Sequence, residues 1–260
     1  MSRLIDRLKR VSGVAPQPMG FRVAREEAEK PGIFAIASIA SNKLSKMDEK
    51  LTGADAVVSH VADSDSGIKL AKEISQSLSG IPCGLWLDDV DGKNIKKAAN
   101  ASGDFIIFPA NASLAVLKEG KPGKILEVPA YMEASLLRAV NELPVDAVLI
   151  TAEGVKDSTL TCKNLLFFHL CAGLLEKSLL ASVPLSISAD ELQTLWEAGI
   201  SGVVLAIEDE PSLERFAALR GEIDRATFPP RRRRRKVEVV LPSAGGLTEE
   251  AEEEEEEEEE

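Results

Sequence analysis

The side chains that could carry out acid–base chemistry are few, and they follow short runs of β-branched residues. His60 lies near the end of one such run with Asp63 just beyond it, and Asp88 and Asp89 directly follow another. A carboxylate beside an imidazole can orient it as a general base. We therefore predict that His60, Asp88, Asp89 and Glu208 are catalytic, with His60 as the base. The alternative interpretation is that His60 is a hydrogen-bonded histidine at a rim.

The Asp88–Asp89 pair also matches the preference of hard divalent cations for carboxylate oxygen atoms. Adjacent residues of a strand point to opposite faces, so at most one of the two carboxylates would point inward. Asp89 could equally begin a turn before Gly92. We leave the metal unassigned, and because no GxGxxG or GxxxxGKS/T sequence is present, the cofactor is unassigned as well.

Polar side chains after other runs are predicted to bind a ligand rather than to react with it. Ser186 and Ser188 alternate along one run and would share a face, but the sequence places no histidine to activate either, and it contains no GxSxG elbow. Lys124 stands at the start of a run, the wrong end for a Schiff base, and no other lysine lies in a run. The predicted binding residues are Asp63, Asn111, Glu127, Thr151, Ser186 and Ser188.

The β-branched runs recur eight times, and a helical pattern follows each of them. The predicted strands are residues 33–39, 54–61, 82–87, 104–109, 124–128, 145–151, 184–188 and 202–207. The predicted helices are residues 44–51, 67–78, 93–101, 112–118, 132–143, 162–180, 189–198 and 211–225. Eight alternating units are typical of a parallel sheet that closes with its crossover helices outside. We predict an α/β fold, a single (β/α)8 barrel with its active site at the C-terminal ends of the strands.

The sixth unit is longer than the others. Its predicted helix, residues 162–180, is apolar over more than one face, whereas an ordinary barrel helix buries only its inner stripe. Either the neighbouring helices cover it incompletely or it contacts another subunit, and an exposed apolar surface usually marks an interface. Both alternatives stay open, the second being a homo-oligomer through this helix, and we expect the preceding loop, residues 152–161, to cover the barrel mouth.

Both ends of the chain depart from the barrel pattern. Leu4, Ile5, Leu8 and Val11 recur at helical spacing and predict an amphipathic helix over residues 2–12 that plugs the bottom of the barrel. Residues 229–260 contain an arginine run and then a glutamate run, which predict a disordered tail after a barrel domain of residues 1–228. This tail either neutralises its own charges or has no role.

Charge and cysteine content narrow the class of protein. The net charge of −12 comes mostly from the eleven glutamates of residues 249–260, so the barrel region offers no general attraction for nucleic acid, which we do not expect as a partner. Cys83, Cys162 and Cys171 lack metal-ligand spacing and are expected to be reduced and buried. No stretch reaches the roughly 18 apolar residues that a spanning helix needs. These features predict a cytoplasmic protein with no membrane span.

The segment 184–207, PLSISADELQTLWEAGISGVVLAI, resembles the seventh and eighth units of ribulose-phosphate-binding-type TIM barrels such as thiamine phosphate synthase. The resemblance implies the barrel fold, and in that family glycines after strands seven and eight bind phosphate. Here Ser188 ends the predicted seventh strand with Asp190 just beyond it, and Glu208 and Asp209 follow the eighth. Because the glycines are absent and acids replace them, we expect no phosphate chemistry.

Two functions remain as hypotheses. The first is a small-molecule lyase or isomerase with an acidic mouth, which we favour because most barrels of this kind are enzymes; the second is a non-catalytic binding or assembly module that acts through the apolar sixth helix and the charged tail. A pocket lined by His60, Asp88 and Glu208 would favour the enzyme. A mouth filled by Phe108 and Ile207 would favour the module.

Overall fold

The computed structural model describes most of the barrel. The described residues are 2–12, 32–40, 51, 53–61, 78, 80–88, 103–151 and 159–229. The chain divides into two units, Met1–Pro230 and Arg231–Glu260, and the described residues belong to the first. Three predicted helices, 44–51, 67–78 and 93–101, lie outside the described residues except for Leu51 and Leu78, and so does the predicted tail apart from Pro229. Residues 152–158 of the predicted lid also lie outside them.

Eight parallel strands form a closed barrel, which confirms the predicted (β/α)8 architecture. Each strand pairs with the next along the chain, and the eighth pairs with the first. The strands are β1 (Phe34–Ala40), β2 (Ala56–Val61), β3 (Cys83–Leu87), β4 (Phe105–Pro109), β5 (Gly123–Pro129), β6 (Ala147–Thr151), β7 (Ser178–Val183) and β8 (Ile200–Ile207). Parallel pairing brings the C-terminal ends of all eight strands to one face of the barrel.

Six α-helices are present in the described part of the chain. They are α1 (Arg3–Ser12), α2 (Ala115–Lys118), α3 (Ala134–Ala139), α4 (Cys162–Leu174), α5 (Ala189–Ala198) and α6 (Glu210–Arg225), with a 3-10 turn at Val140–Glu142. None of the helices described here is long and apolar enough to cross a membrane.

Alternating strand residues point to two different apolar clusters, as the two-residue period of a strand requires. One cluster fills the barrel interior and includes Phe34, Trp86, Phe105 and Leu149. The other lies between the strands and the surrounding helices, and Phe108 and Ile207 belong to it. Phe108 and Ile207 therefore face the helices and do not fill the mouth, so the observation that would favour the non-catalytic module is not made.

The N-terminal helix α1 closes the bottom of the barrel, as its amphipathic pattern predicts. Leu4, Ile5 and Leu8 are at most 3% exposed and pack into the interior cluster. Val11 packs beside them, partly buried. The apolar stripe of α1 thus supplies the last layer of the barrel core.

Three aspartates hold α1 in place, and each directly precedes an even-numbered strand. Asp104, before β4, accepts hydrogen bonds from the first two backbone N–H groups of α1. Asp55, before β2, accepts from Arg7 at 2.9 Å, and Asp146, before β6, accepts from Lys9 at 3.1 Å. Asp55 and Asp146 also accept a backbone N–H from the preceding strand, so each links α1 to the sheet.

The seventh strand differs from its predicted position. The prediction that a helix covers 162–180 and a strand covers 184–188 is wrong, because α4 ends at Leu174 and β7 spans Ser178–Val183. Residues 165–183 form an almost continuous apolar run, and periodicity does not distinguish a buried strand from a buried helix in such a run. The strand ends directly before Pro184, a residue that lacks the N–H a central strand needs.

Candidate active site at the barrel mouth

Trp86 occupies the interior of the barrel near the C-terminal ends of the strands. It lies on β3, is 7% exposed and belongs to the interior cluster. Its indole Nε1–H donates a hydrogen bond to Oε2 of Glu127 on β5 at 2.9 Å. A buried indole N–H needs a hydrogen-bond partner, and the Glu127 carboxylate satisfies that need.

Two neutral donors hold the Glu127 carboxylate, one on each oxygen. Trp86 donates to Oε2, and the Thr151 hydroxyl, at the end of β6, donates to Oε1 at 3.1 Å. Within the described ranges no lysine or arginine forms an ion pair with Glu127. The carboxylate therefore retains acceptor capacity on both oxygens, because each carboxylate oxygen can accept two hydrogen bonds.

His60 lies on the face of the same tryptophan ring. The two ring centroids are 4.3 Å apart with an interplanar angle of 25°, which is a stacked arrangement, and the two residues are partners in the β2–β3 register. His60 Nδ1 is 3.6 Å from Asp88 Oδ1. The His60 side chain is 30% exposed and that of Asp88 is 53% exposed, so both remain accessible from the mouth.

Four of the predicted site residues are thus linked through a residue that the sequence analysis missed. The described contacts connect Asp88 to His60, His60 to Trp86, Trp86 to Glu127 and Glu127 to Thr151. The period-2 pattern of β3 could have identified Trp86. It places Trp86 on the same face as Asp88, two residues earlier and therefore deeper in the barrel. Chemically, the arrangement offers an accessible imidazole–carboxylate pair on the ring face and a deeper carboxylate at the ring edge.

The other predicted residues that the structure describes do not join this cluster. Ser188 is the N-cap of α5, where its hydroxyl accepts from the Glu191 backbone N–H at 3.3 Å, and Ser186 is exposed in the turn before it. Because neither serine lies on a strand, the prediction that they share a strand face is wrong. Glu208 and Asn111 are exposed after β8 and β4.

Asp63 and Asp89 lie outside the described residues. Among the residues that the structure does describe, no group of three or more histidine, cysteine or acidic side chains could hold a metal ion.

The cysteines are only partly as predicted. Cys83 and Cys171 are buried, and burial raises the pKa of Cys83 to about 11 and that of Cys171 to about 12. Cys162 is exposed, so the expectation that all three thiols are buried is wrong. Its exposure follows from its position at the first turn of α4, on the outer side of the helix layer.

A separate cavity of about 340 Å³ lies at the opposite, N-terminal end of the barrel. Arg7 and Arg220 line it, and both donate to Asp55, while Phe34 and Phe228 form apolar walls. This cavity is far from the strand ends at which barrel enzymes carry out their chemistry. Its charged groups bond to one another, so we assign it to the packing of α1 and α6 against the barrel.

The closed eight-stranded sheet, with its polar cluster at the C-terminal face, makes this protein a TIM barrel. No family model matches the sequence, and no curated protein matches it. The fold is similar to that of the tryptophan synthase α-subunit from the hyperthermophile Pyrococcus furiosus, with a TM-score of 0.56 at 12% identity, covering 74% of this chain and 97% of that one. A mutant of the same subunit gives a TM-score of 0.55 at 10% identity with the same coverage. At these identities the likeness shows the fold alone.

Proposed function

We propose that this barrel is a small-molecule lyase or isomerase that uses the His60–Asp88 pair for proton transfer. The observation that carries the proposal is the stacking of His60 on Trp86, with Asp88 at 3.6 Å. The indole restricts the orientation of the imidazole, and the carboxylate stabilises the imidazolium that forms when His60 takes a proton. Barrel enzymes carry their catalytic groups at these strand ends, and a positioned histidine is a common base for the proton transfers of lyase and isomerase reactions.

Glu127 is the proposed substrate-binding group. Among the described residues, Trp86 and Thr151 each donate to one of its oxygens, which leaves each oxygen a further acceptor position there and holds the carboxylate in one orientation. A carboxylate in this setting binds a hydroxyl or an amine of the substrate through a charge-assisted hydrogen bond. Binding by Glu127 would hold the substrate on one side of the Trp86 ring while His60 moves a proton.

The proposed substrate carries no phosphate. Phosphate-binding barrels use free backbone N–H groups at helix N-termini after strands seven and eight. In this chain Ser188 caps α5, and Asp209 caps α6 by accepting the Ser212 backbone N–H at 2.9 Å. These side chains already use N–H groups that a phosphate would need, and the Asp209 carboxylate would repel an anion.

A thermal-shift screen followed by assays of its hits tests this proposal. Hydroxy acids, keto acids and amino alcohols are compared with their phosphorylated counterparts, with divalent metals and with flavins, since a ligand of the native state raises its melting temperature. Turnover of a hit should fall about 100-fold or more in His60→Phe, which keeps an aromatic ring on Trp86, and should be unchanged in the control Ser186→Ala. Unchanged turnover in His60→Phe, or stabilisation by phosphorylated compounds alone, would overturn the proposal.

The second candidate function is an assembly module that acts through α4. Leu166 is 70% exposed and Leu170 is 41% exposed, and such apolar side chains favour contact with another protein. We further propose a cytoplasmic location, which free, buried thiols such as Cys83 and Cys171 favour.

A further inference from the structure

One layer of the barrel interior, just inside the mouth, consists mainly of polar residues. Closure of an eight-stranded barrel offsets neighbouring strands by about one residue, so the side chains at one height come from alternate strands. Advancing one residue at each strand pair from Ser38 on β1 leads to Trp86 on β3, Glu127 on β5 and Ser182 on β7, and then back to Ser38. These four residues, here called the polar layer, stand where branched aliphatic side chains dominate in TIM barrels.

The alternation along β1 and β7 shows that both serines of the polar layer face the interior. Ile36 and Leu180, two residues before them, belong to the interior cluster, whereas the residues on either side of each serine belong to the cluster beneath the helices. The hydrogen bond from Trp86 to Glu127 connects the other two members of the layer directly. The serines therefore share a layer with the proposed substrate-binding carboxylate.

The hydroxyl of Ser38 is buried without a partner in the described part of the chain. Ser38 is only 5% exposed, yet its hydroxyl forms no hydrogen bond with any residue that the structure describes. The hydroxyl of the half-buried Ser182 forms none with those residues either. Burying a hydroxyl without a hydrogen bond is costly, and most buried polar groups have a partner. Both hydroxyls are thus available to a bound molecule.

The wall that carries the two serines is accessible from the mouth. Ala206 on β8 lies between β7 and β1, is paired with Ser38 in the register and is partly exposed. Ser182 and, on the neighbouring strand, Thr151 are partly exposed as well. Because interior side chains are exposed only where the mouth contains open space, a small molecule can approach this wall.

We propose that Ser38 and Ser182 bind the carbonyl oxygen of a small, uncharged hydroxyaldehyde or hydroxyketone whose hydroxyl group donates to Glu127. The inference rests on the proposed function and names its substrate class. Serine hydroxyls can donate, whereas an ionised carboxylate only accepts. Since β1 and β5 lie on opposite sides of the barrel, a molecule between them meets a donor on one wall and an acceptor on the other.

The charge of the site selects a carbonyl compound over a carboxylic acid. Glu127 is the one ionisable side chain of the polar layer, and the Asp88 carboxylate lies above it at the mouth. A substrate carboxylate at this place would be repelled by both. Two neutral hydroxyls also supply too few donors for a buried carboxylate, whose two oxygens accept about four hydrogen bonds.

His60 is placed to act on such a substrate. It lies just above Ser38, because it follows Val58, the register partner of Ser38, by two residues on β2. The imidazole takes the proton from the carbon that bears the substrate hydroxyl, next to the carbonyl. The C–H electron pair then forms a carbon–carbon double bond, and the carbonyl π pair moves onto oxygen. The serine hydroxyls stabilise the resulting enediolate, because they are in place before its charge develops.

Alanine variants test whether the hydroxyls are available in the free protein. Ser178 is the matched control, because it lies on the same face of β7 as Ser182, is 2% exposed and has the Ser12 hydroxyl at 3.0 Å. Ser178→Ala should lower the melting temperature by about 2–4 °C, as loss of one hydrogen bond does in a domain of this size. Ser38→Ala should leave it unchanged or raise it. An equal fall in Ser38→Ala would show that a partner, a bound water included, already satisfies this hydroxyl, and would overturn the inference.

NMR titration with dihydroxyacetone tests the ligand class. Glycerol keeps the terminal hydroxyls but lacks the carbonyl, and hydroxypyruvate keeps the carbonyl but is charged; both should bind at least about tenfold more weakly. Ser38→Ala and Ser182→Ala should each weaken dihydroxyacetone binding about tenfold, and Ser178→Ala should leave it unchanged. Absence of dihydroxyacetone binding, equal binding of glycerol, or unchanged affinity in both serine variants would overturn the inference.

The same variants distinguish failure of this inference from failure of the proposed function. Dihydroxyacetone binding that depends on both serines, with turnover unchanged in His60→Phe, would keep the serine site and overturn the proton transfer. A different compound whose turnover depends on His60, but whose affinity is the same in both serine variants, would overturn the serine site and keep the proposed function.

Discussion

The indole N–H of Trp86 hydrogen-bonds to the carboxylate of Glu127 at 2.9 Å, and this contact joins β3 to β5 past the strand between them. The intervening position on β4 is Pro109, which is paired with Glu127 in the sheet register. Because proline is compact, the indole can reach the carboxylate beyond it. Trp86 therefore lies beneath the mouth and contacts both proposed functional groups: it stacks on His60 and hydrogen-bonds to Glu127.

Trp86→Phe should separate these two roles. The substitution keeps an aromatic ring under His60 but removes the donor to Glu127, so a partly buried carboxylate loses one hydrogen bond. We expect the free energy of unfolding to fall by about 1–3 kcal/mol, measured by urea denaturation. Thr151→Val removes the other donor and should cost a similar amount. A loss below about 0.5 kcal/mol in both variants would show that these bonds do not hold Glu127.

Asp55→Asn should destabilise the bottom of the barrel. Asp55 is 8% exposed and accepts from Arg7, Arg220 and the Ala35 backbone N–H. Removing its charge leaves two guanidinium groups without their shared partner, at a cost of about 3 kcal/mol in urea denaturation. Asp224→Asn is the matched control, because Asp224 also pairs with Arg220 but its side chain is 59% exposed. That control should change stability by less than about 1 kcal/mol.

Gly84→Ala should strain the interior of the barrel. A Cβ atom at this position of β3 would overlap the Phe105 ring, which is fully buried and cannot move aside easily. We expect a loss of about 1–3 kcal/mol in the free energy of unfolding. Gly120→Ala is the control, since a Cβ there meets nothing within 4 Å. Equal stability of the two variants would mean that the Phe105 ring can shift at little cost.

Thiol chemistry should distinguish the three cysteines. At pH 8 a thiol reagent should modify Cys162 rapidly, and it should modify Cys83 and Cys171 only after unfolding, because these two are buried. The folded-state pKa of Cys171 is raised from 9.0 to about 12. The unfolded chain therefore loses this proton first, so its contribution to stability is complete below pH 9 and is lost between about pH 9 and pH 12.

Urea denaturation at pH 8 and pH 10 tests whether the free energy of unfolding falls as the pH rises. The wild-type chain should lose more stability between the two pH values than Cys171→Ala does, because the variant has no thiol to ionise. Cys162→Ala serves as the control, and its pH dependence should match that of the wild-type chain. An equal pH dependence in Cys171→Ala would contradict the assignment.

The barrel itself was predictable from the sequence, because seven of the eight strands begin near short β-branched runs that polar or glycine-containing segments separate. The exception, β7, shows the limit of this approach. Between Leu165 and Val183 the chain is apolar almost throughout, and only Glu176 and Lys177 mark the break between helix and strand. The predicted strand was therefore placed after Pro184, at residues 184–188, which form the turn before α5.

The site was predictable only in part, for a geometric reason. His60 lies at the end of β2 and Asp88 directly follows the neighbouring strand β3, and parallel pairing alone brings such residues together. The Trp86–Glu127 bond depends on how far an indole reaches across the interior, which residue spacing does not reveal. Ser188 was misassigned because the polar residue that follows a strand and the one that caps a helix look alike in sequence.

The packing of α1 against distant residues has a consequence during synthesis on the ribosome. The helix is made before its partners Asp104, Asp146 and Ser178, and the Ser178 hydroxyl lies 3.0 Å from that of Ser12. At about 5–20 residues per second, on the order of ten seconds or more pass before residue 178 is made. During that time the apolar cluster that buries Leu4 and Leu8 is incomplete. Helix α1 is thus made well before the residues that it packs against, and its apolar stripe is a stretch that a chaperone would shield.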